Sequence, residues 1–136
     1  MDEAKSARVR TAGIGQSRRQ SGCGAERLAG QYLKTRGLEL LARNLRCRGG
    51  ELDLVCRDGE VLVMVEVRQR GRRDFGGALA SVTPRKQRMI IRATRFVLHT
   101  VPGWRRLRLR FDVIGVQGLP DGAHEVVWVK DAFRAT

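Results

Sequence analysis

Two short acidic segments carry the residue types that could do chemistry, Glu51-Leu52-Asp53 and Glu66-Val67-Arg68. Between them lies Arg57-Asp58-Gly59, and an Asp-Gly pair between two apolar runs is a strong hairpin signal. Pairing the strands through Asp58-Gly59 sets Arg57 opposite Glu60, Cys56 opposite Val61, Met64 opposite Asp53 and Glu66 opposite Glu51. Side chains alternate along a strand, so Glu51, Asp53, Met64, Glu66 and Arg68 are predicted to share one face. Asp53 and Glu66 become diagonal neighbours, with Cα atoms roughly 7 Å apart. Carboxylates gathered on one patch repel unless a cation sits between them, and a hard divalent ion, Mg²⁺ or Mn²⁺, suits such oxygen ligands. Val61, Val63, Val65 and Val67, with Leu62 and Met64 between them, mark the second strand as buried on both sides. Ending such a strand on Glu66 and Arg68 costs several kcal/mol of desolvation unless each charge is matched. The bland alternative is a solvated strand end beside an exposed loop, and the strand pattern alone leaves both readings open.

The charge balance points to a polyanionic partner. The 136 residues hold 27 Lys and Arg against 14 Asp and Glu, a net charge of +13. Thirteen of those cations fall between Arg68 and Arg110 with Asp74 as the single acid. A basic field of this kind favours nucleic acid or an anionic membrane surface. No apolar run approaches the ~20 residues of a spanning helix, and no signal-peptide core or lipidation motif is present. Cys23, Cys47 and Cys56 are odd in number and lack CxxC spacing, so neither a disulfide framework nor a zinc site is expected. Free thiols suit a reducing cytoplasm, the expected location. Nucleic acid, DNA in the first instance, is therefore the expected partner, with no membrane.

The cations form clusters. Arg70, Arg72 and Arg73 follow the second acidic segment directly, and Arg105, Arg106, Arg108 and Arg110 lie beside Trp104, a candidate stacking residue for which a partly core position is the simpler reading. Arg85, Arg88, Arg92 and Arg95 recur at spacings of three, four and three, one stripe of a helix whose core face is read as Met89, Ile90, Ala93, Phe96 and Val97. Lys86 and Gln87 in its first turn are placed to approach phosphate. For any single Arg a solvated face is the simpler explanation; for the ensemble, phosphate binding is favoured. No base-reading module is evident, so contacts to the backbone and to nucleic-acid shape are expected, with steep salt dependence.

The elements that must position these residues follow from periodicity and punctuation. Residues 1–20 show none and read as a flexible basic tail, leaving 21–136 as one domain. A helix capped by Ser21 carries Ala25, Leu28, Ala29, Tyr32 and Leu33 on its apolar face and stops at Gly37. Strands are predicted at 38–45, 51–56 and 60–67. The second helix starts at Thr83-Pro84, an N-cap followed by proline, and its segment ends at Pro102-Gly103. Two more strands, 107–116 and 124–130, complete the order α-β-β-β-α-β-β, a single-domain α/β fold with a central mixed sheet flanked by helices.

Gly22-Cys23-Gly24-Ala25-Glu26, Arg48-Gly49-Gly50-Glu51-Leu52-Asp53-Leu54-Val55, Val65-Glu66-Val67-Arg68, Thr83-Pro84-Arg85-Lys86-Gln87, Arg110-Phe111-Asp112-Val113 and Lys130-Asp131-Ala132-Phe133 resemble, in order, the blocks of the YraN family. That family is similar to the PD-(D/E)xK nuclease superfamily, with its restriction-endonuclease-like fold and relation to Holliday-junction resolvases. The resemblance implies that Asp53 and Glu66 ligate Mg²⁺ or Mn²⁺ together with the Val67 carbonyl, and that Glu26 is a further acid. Arg68 falls where the superfamily has lysine. Two functions follow: a metal-dependent endonuclease acting on DNA, branched or damaged DNA included, or a non-catalytic nucleic-acid-binding protein keeping the nuclease fold. A homodimer is implied by analogy with junction resolvases. His99 and His124 lack companions at ligand spacing, Asp112 reads as half of a structural ion pair, and Gly49-Gly50 and Gly76-Gly77 read as turns.

Overall fold

The computed structural model describes residues 4–10, 21–70 and 77–135. Strand β1 spans Ala4–Arg10, helix α1 Ser21–Thr35, and strands β2, β3 and β4 span Glu39–Cys47, Gly50–Asp58 and Val61–Arg70. A single turn, α2, covers Gly77–Ala80; helix α3 covers Pro84–Thr100, followed by a 3-10 segment at Pro102–Arg106. Strands β5, Arg108–Gly118, and β6, Ala123–Phe133, complete the chain. Glycine and capping signals act where the sequence places them. Gly37, at φ 93°, ends α1 by donating to Lys34 O while Leu38 N–H donates to Leu33 O, the Schellman pattern. At the start of α3, Thr83 Oγ1 accepts from the Lys86 N–H at 3.2 Å, and Pro84 occupies a position that needs no donor.

Among the described residues six strands form one sheet in the order β1-β6-β5-β4-β3-β2. All neighbours are antiparallel except β4 and β5. A parallel pair needs a connection across a sheet face, which α3 supplies. From α1 onward the order is α-β-β-β-α-β-β, in an α/β domain with a mixed sheet between two helices. Residues 4–10 depart from the expected tail: they run antiparallel to β6 as an edge strand. The rest of that stretch, residues 1–3 and 11–20, lies outside the described residues.

The two faces of β4 explain its run of apolar residues. Val63 and Val65 pack with Leu28, Ala29, Tyr32 and Leu33 of α1. Leu62 and Met64 pack with Ile90, Ala93 and Val97 of α3. The core face of α3 differs from the expected one at two positions. Met89 and Phe96 remain 39% and 38% exposed, and Thr94 is buried instead. Its hydroxyl donates to Ile90 O at 2.8 Å, so its burial leaves no unmet polar group.

Where its strands pair, from Leu54 to Val65, the β3–β4 hairpin keeps the predicted faces but shifts its partners by two. Asp58 pairs with Val61, Cys56 with Val63 and Leu54 with Val65. The loop is Gly59-Glu60, with positive φ (62°) at Gly59; glycine leads the two loop residues, as in a type II′ turn. On β5 the fully buried Asp112 accepts from Arg110 Nε and a second Arg110 nitrogen, Trp128 Nε1 and the Asp131 N–H, each at 2.9 Å. It thereby clamps the irregular β5–β6 register near Asp131, whose φ is 52°. The structural role read for Asp112 holds.

Candidate metal and phosphate site

The site forms where β3 and β4 stop pairing. Leu54 and Val65 are the last ladder partners; one step further, Asp53 turns its carboxylate onto the backbone of β4, where Oδ2 accepts the Val67 N–H at 2.9 Å. The alternation of β3 breaks at the same place. Leu54 lies in the core under α1, yet Leu52, two residues away, packs in the core under α3. The neighbouring strand accommodates this change: β2 pairs Arg43 with Leu54 and Leu45 with Leu52, while Asn44 between them takes a left-handed φ of 51°. Asparagine tolerates that conformation better than most residues. Asp53 therefore meets acids from both sides of the sheet, contrary to the one-face arrangement that simple alternation predicts.

From one side comes Glu26 of α1, whose carboxyl interacts with Asp53 and with the Asn44 side chain. From the other comes Glu66 of β4, only 4% exposed. Burial first, and then the charge of Asp53, push the Glu66 carboxyl up to about 7; Lys86 and Arg68 oppose the rise. Glu26 also rises to about 7, again from burial first and Asp53 second, with the Asn44 hydrogen bond pulling the other way. Glu51 contributes only at a distance to Glu26 and lies 3.9 Å from Arg46 at the surface.

Two cations converge on a single oxygen. An Arg68 terminal nitrogen lies 3.3 Å from Glu66 Oε2, and Lys86 Nζ lies 3.7 Å from the same atom. Arg68 is further fixed by Nε donating to Ser81 Oγ at 3.1 Å. Lys86 lies in the first turn of α3, which Thr83 caps and Pro84 opens, and its ammonium reaches Glu66 of β4. Gln87 does not join them: its amide donates to Val82 O at 3.1 Å. Arg85, Arg88, Arg92 and Arg95 are exposed along α3. Arg70 ends β4, and Arg72 and Arg73 lie outside the described residues. Asn44 and Ser81 were missed in the sequence. Asparagine inside a strand, where its propensity is poor, was the available signal for the first; Ser81 gave none.

The oxygen donors fit a hard divalent cation. Among the described residues no group of three Asp, Glu, His or Cys side chains is placed to hold a metal ion by itself. Mg²⁺ does not require one, since it is commonly held by one or two carboxylates, water and substrate phosphate. Asp53 and Glu66 supply two carboxyls. The N–H and C=O of a strand residue face the same neighbour, so the Val67 carbonyl lies on the edge where Asp53 takes its amide. The elevated Glu66 carboxyl is the mark of a buried acid beside a half-buried carboxylate, a repulsion that a cation would relieve.

No helix among the described residues is long and apolar enough to cross a membrane. The model of the family described as "Uncharacterised protein family UPF0102" matches residues 25–116, which span every acid and cation of the site. A UPF0102 protein of Halorhodospira halophila is 49% identical over 116 residues, covering 85% of this chain and 88% of that one. One of Pseudomonas putida strain GB-1 is 45% identical over 115 residues, covering 85% and 94%. Among solved structures, Pyrococcus furiosus SfsA in complex with Ca²⁺ aligns at 13% identity and a TM-score of 0.38, over 90% of this chain and 74% of that one, too loose a likeness to support an argument. The chain belongs to the UPF0102 family.

Proposed function

We propose that this protein is a metal-dependent endonuclease of the PD-(D/E)xK kind, binding DNA and hydrolysing its phosphodiesters. The observation that carries the reading is the convergence of Glu26 and Glu66 on Asp53, with Lys86 and Arg68 both held on Glu66. Asp53, Glu66 and the Val67 carbonyl would hold Mg²⁺ or Mn²⁺. When bound, that ion supplies a water of lowered pKa and polarises a phosphoryl oxygen. The side chains do the rest. Lys86 and Arg68 place two positive charges beside the carboxylates, where the phosphate's developing negative charge would need them. Arg68 cannot act as a base, because its guanidinium stays protonated. Lys86 supplies from α3 the ammonium that the superfamily carries on the strand. Glu26, with its carboxyl near 7, suits proton transfer close to neutral pH.

The second reading, a non-catalytic nucleic-acid-binding protein, is favoured by one observation: position 68 is arginine. Cleavage assays on supercoiled plasmid and on branched DNA with Mg²⁺ or Mn²⁺ separate the two. The enzyme reading expects nicking by the wild type, loss of nicking in Asp53→Ala and Glu66→Ala with binding retained, and a severe loss in Lys86→Ala. Intact DNA under all conditions overturns it, and cleavage gained on Arg68→Lys in that inactive protein establishes the second reading.

A further inference from the structure

The outer face of α3 carries an unusual mixture. Arg85, Arg88, Arg92 and Arg95 are exposed, the helix contains no Asp or Glu to pair with them, and none forms an ion pair among the described residues. Met89 and Phe96 lie in the same exposed arc. They are two of the four large hydrophobic residues left exposed among the described residues, and Phe96 is the aromatic one. Seven residues apart, they recur after two helical turns, about 10 Å along the axis. The helix does not leave them outside for want of an apolar contact face, because Ile90, Ala93 and Val97 already supply one.

The strip runs over the β2–β3 turn and starts close to the acidic site. A Cβ at Gly49 would lie 3.1 Å from Cγ and Cδ of Arg92, and Gly49 has φ 96°. The positive φ calls for glycine at this β2–β3 turn position, and the turn backbone lies against the aliphatic stem of Arg92. Lys86, one turn before Met89 and Ile90, contacts Glu66.

Resting on the nucleic-acid reading above, we propose that this face of α3 docks an unpaired nucleic-acid strand, with bases stacking on Phe96 and packing on Met89 while the four arginines hold its phosphates. An intact duplex presents mostly phosphates to such a helix, and cations satisfy those; an exposed aromatic among them gains stacking contacts only where bases are unstacked. A second copy of the chain is disfavoured because two such strips repel each other. A membrane surface is disfavoured because two apolar side chains are too few to bury a helix face in lipid. The substrate class is thus DNA with a single-stranded portion adjoining the cleavage site.

Fluorescence anisotropy with a labelled single-stranded oligonucleotide and a duplex of equal length, in EDTA, tests this on the full chain. Phe96→Ala is expected to weaken single-strand binding roughly tenfold, as for loss of one stacked base, and to leave duplex binding within about twofold. Its salt slope should not change, because no phosphate contact is lost. Phe96→Trp should restore affinity. Arg92→Ala should weaken both ligands and lower the salt slope by about 1. Equal loss on both ligands, or no loss on either, overturns the strip while leaving nucleic-acid binding standing. No binding of any nucleic acid overturns the underlying reading as well. Phe96→Ala acting only on binding to phosphatidylserine vesicles, or only on oligomeric state in sedimentation, assigns the face to lipid or to a second copy and overturns the proposal.

Discussion

Replacing Glu66 by glutamine should stabilise the metal-free protein at alkaline pH. The Glu66 carboxyl is buried against Asp53, and its pKa is raised from 4.5 to about 7. A raised carboxyl pKa means the folded chain binds this proton more tightly than the unfolded chain. The resulting stability is fully present below 4.5 and is lost as pH climbs to about 7. Each pH unit corresponds to about 1.4 kcal/mol, so the full displacement is worth up to roughly 3.5 kcal/mol. Local relaxation and water entry reduce that, and about 1–2 kcal/mol is the working expectation. Glutamine keeps the shape of the protonated acid and carries no charge to lose. Thermal melts in EDTA at pH 5 and pH 8.5 measure the difference. The wild type should lose Tm between the two, by several degrees for a chain of this size, and Glu66→Gln should lose visibly less, Glu26 keeping part of the dependence. Adding Mg²⁺ at pH 8.5 should raise the wild-type Tm and leave Glu66→Gln nearly unmoved. A variant less stable than wild type at pH 8.5 in EDTA would refute the reasoning, since it would mean that the ion pairs to Lys86 and Arg68 outweigh burial.

Asp112→Ala should cost about 3–5 kcal/mol in urea unfolding, because it removes the buried acceptor of Trp128 Nε1 and leaves Arg110 with Asp58 alone; a loss under 1 kcal/mol contradicts the clamp. Asn44→Val should cost about 1–2 kcal/mol for the left-handed backbone and reduce Mn²⁺ affinity by disturbing Asp53 and Glu26, whereas Asn44→Gly should keep the stability. Equal stability of the two variants would show that the φ of 51° is not what that position requires.

Much of this site was legible in the residues, and what was not has definite causes. The element order, the two-sided burial of β4 and the caps of α3 all follow from local rules acting within a few residues. Asp53 and Glu66 were drawn together by counting, and parity protected the faces of β4 when the loop moved to Gly59-Glu60 and the partners shifted by two. Counting could not reveal the break at Asp53, because it depends on the left-handed Asn44 in a different strand. Nor could spacing place Lys86 on Glu66: that contact requires α3 to cross the sheet face and start beside β4. Met89 and Phe96 fitted the apolar periodicity of α3 but sit at the margin of its arc, where tertiary packing decides which side chain is covered. Ala4–Arg10 has little apolar pattern, and its pairing comes from β6 offering an open edge.

The claim on which the rest depends is that the carboxyls around Asp53 form a divalent-ion site. Anomalous diffraction from a crystal soaked in Mn²⁺ tests it most directly. One strong peak is expected, coordinated by Asp53, Glu66 and the Val67 carbonyl, with Glu26 nearby. A peak bound elsewhere, or none at saturating Mn²⁺ with Glu66 still paired to Arg68 and Lys86, would contradict it.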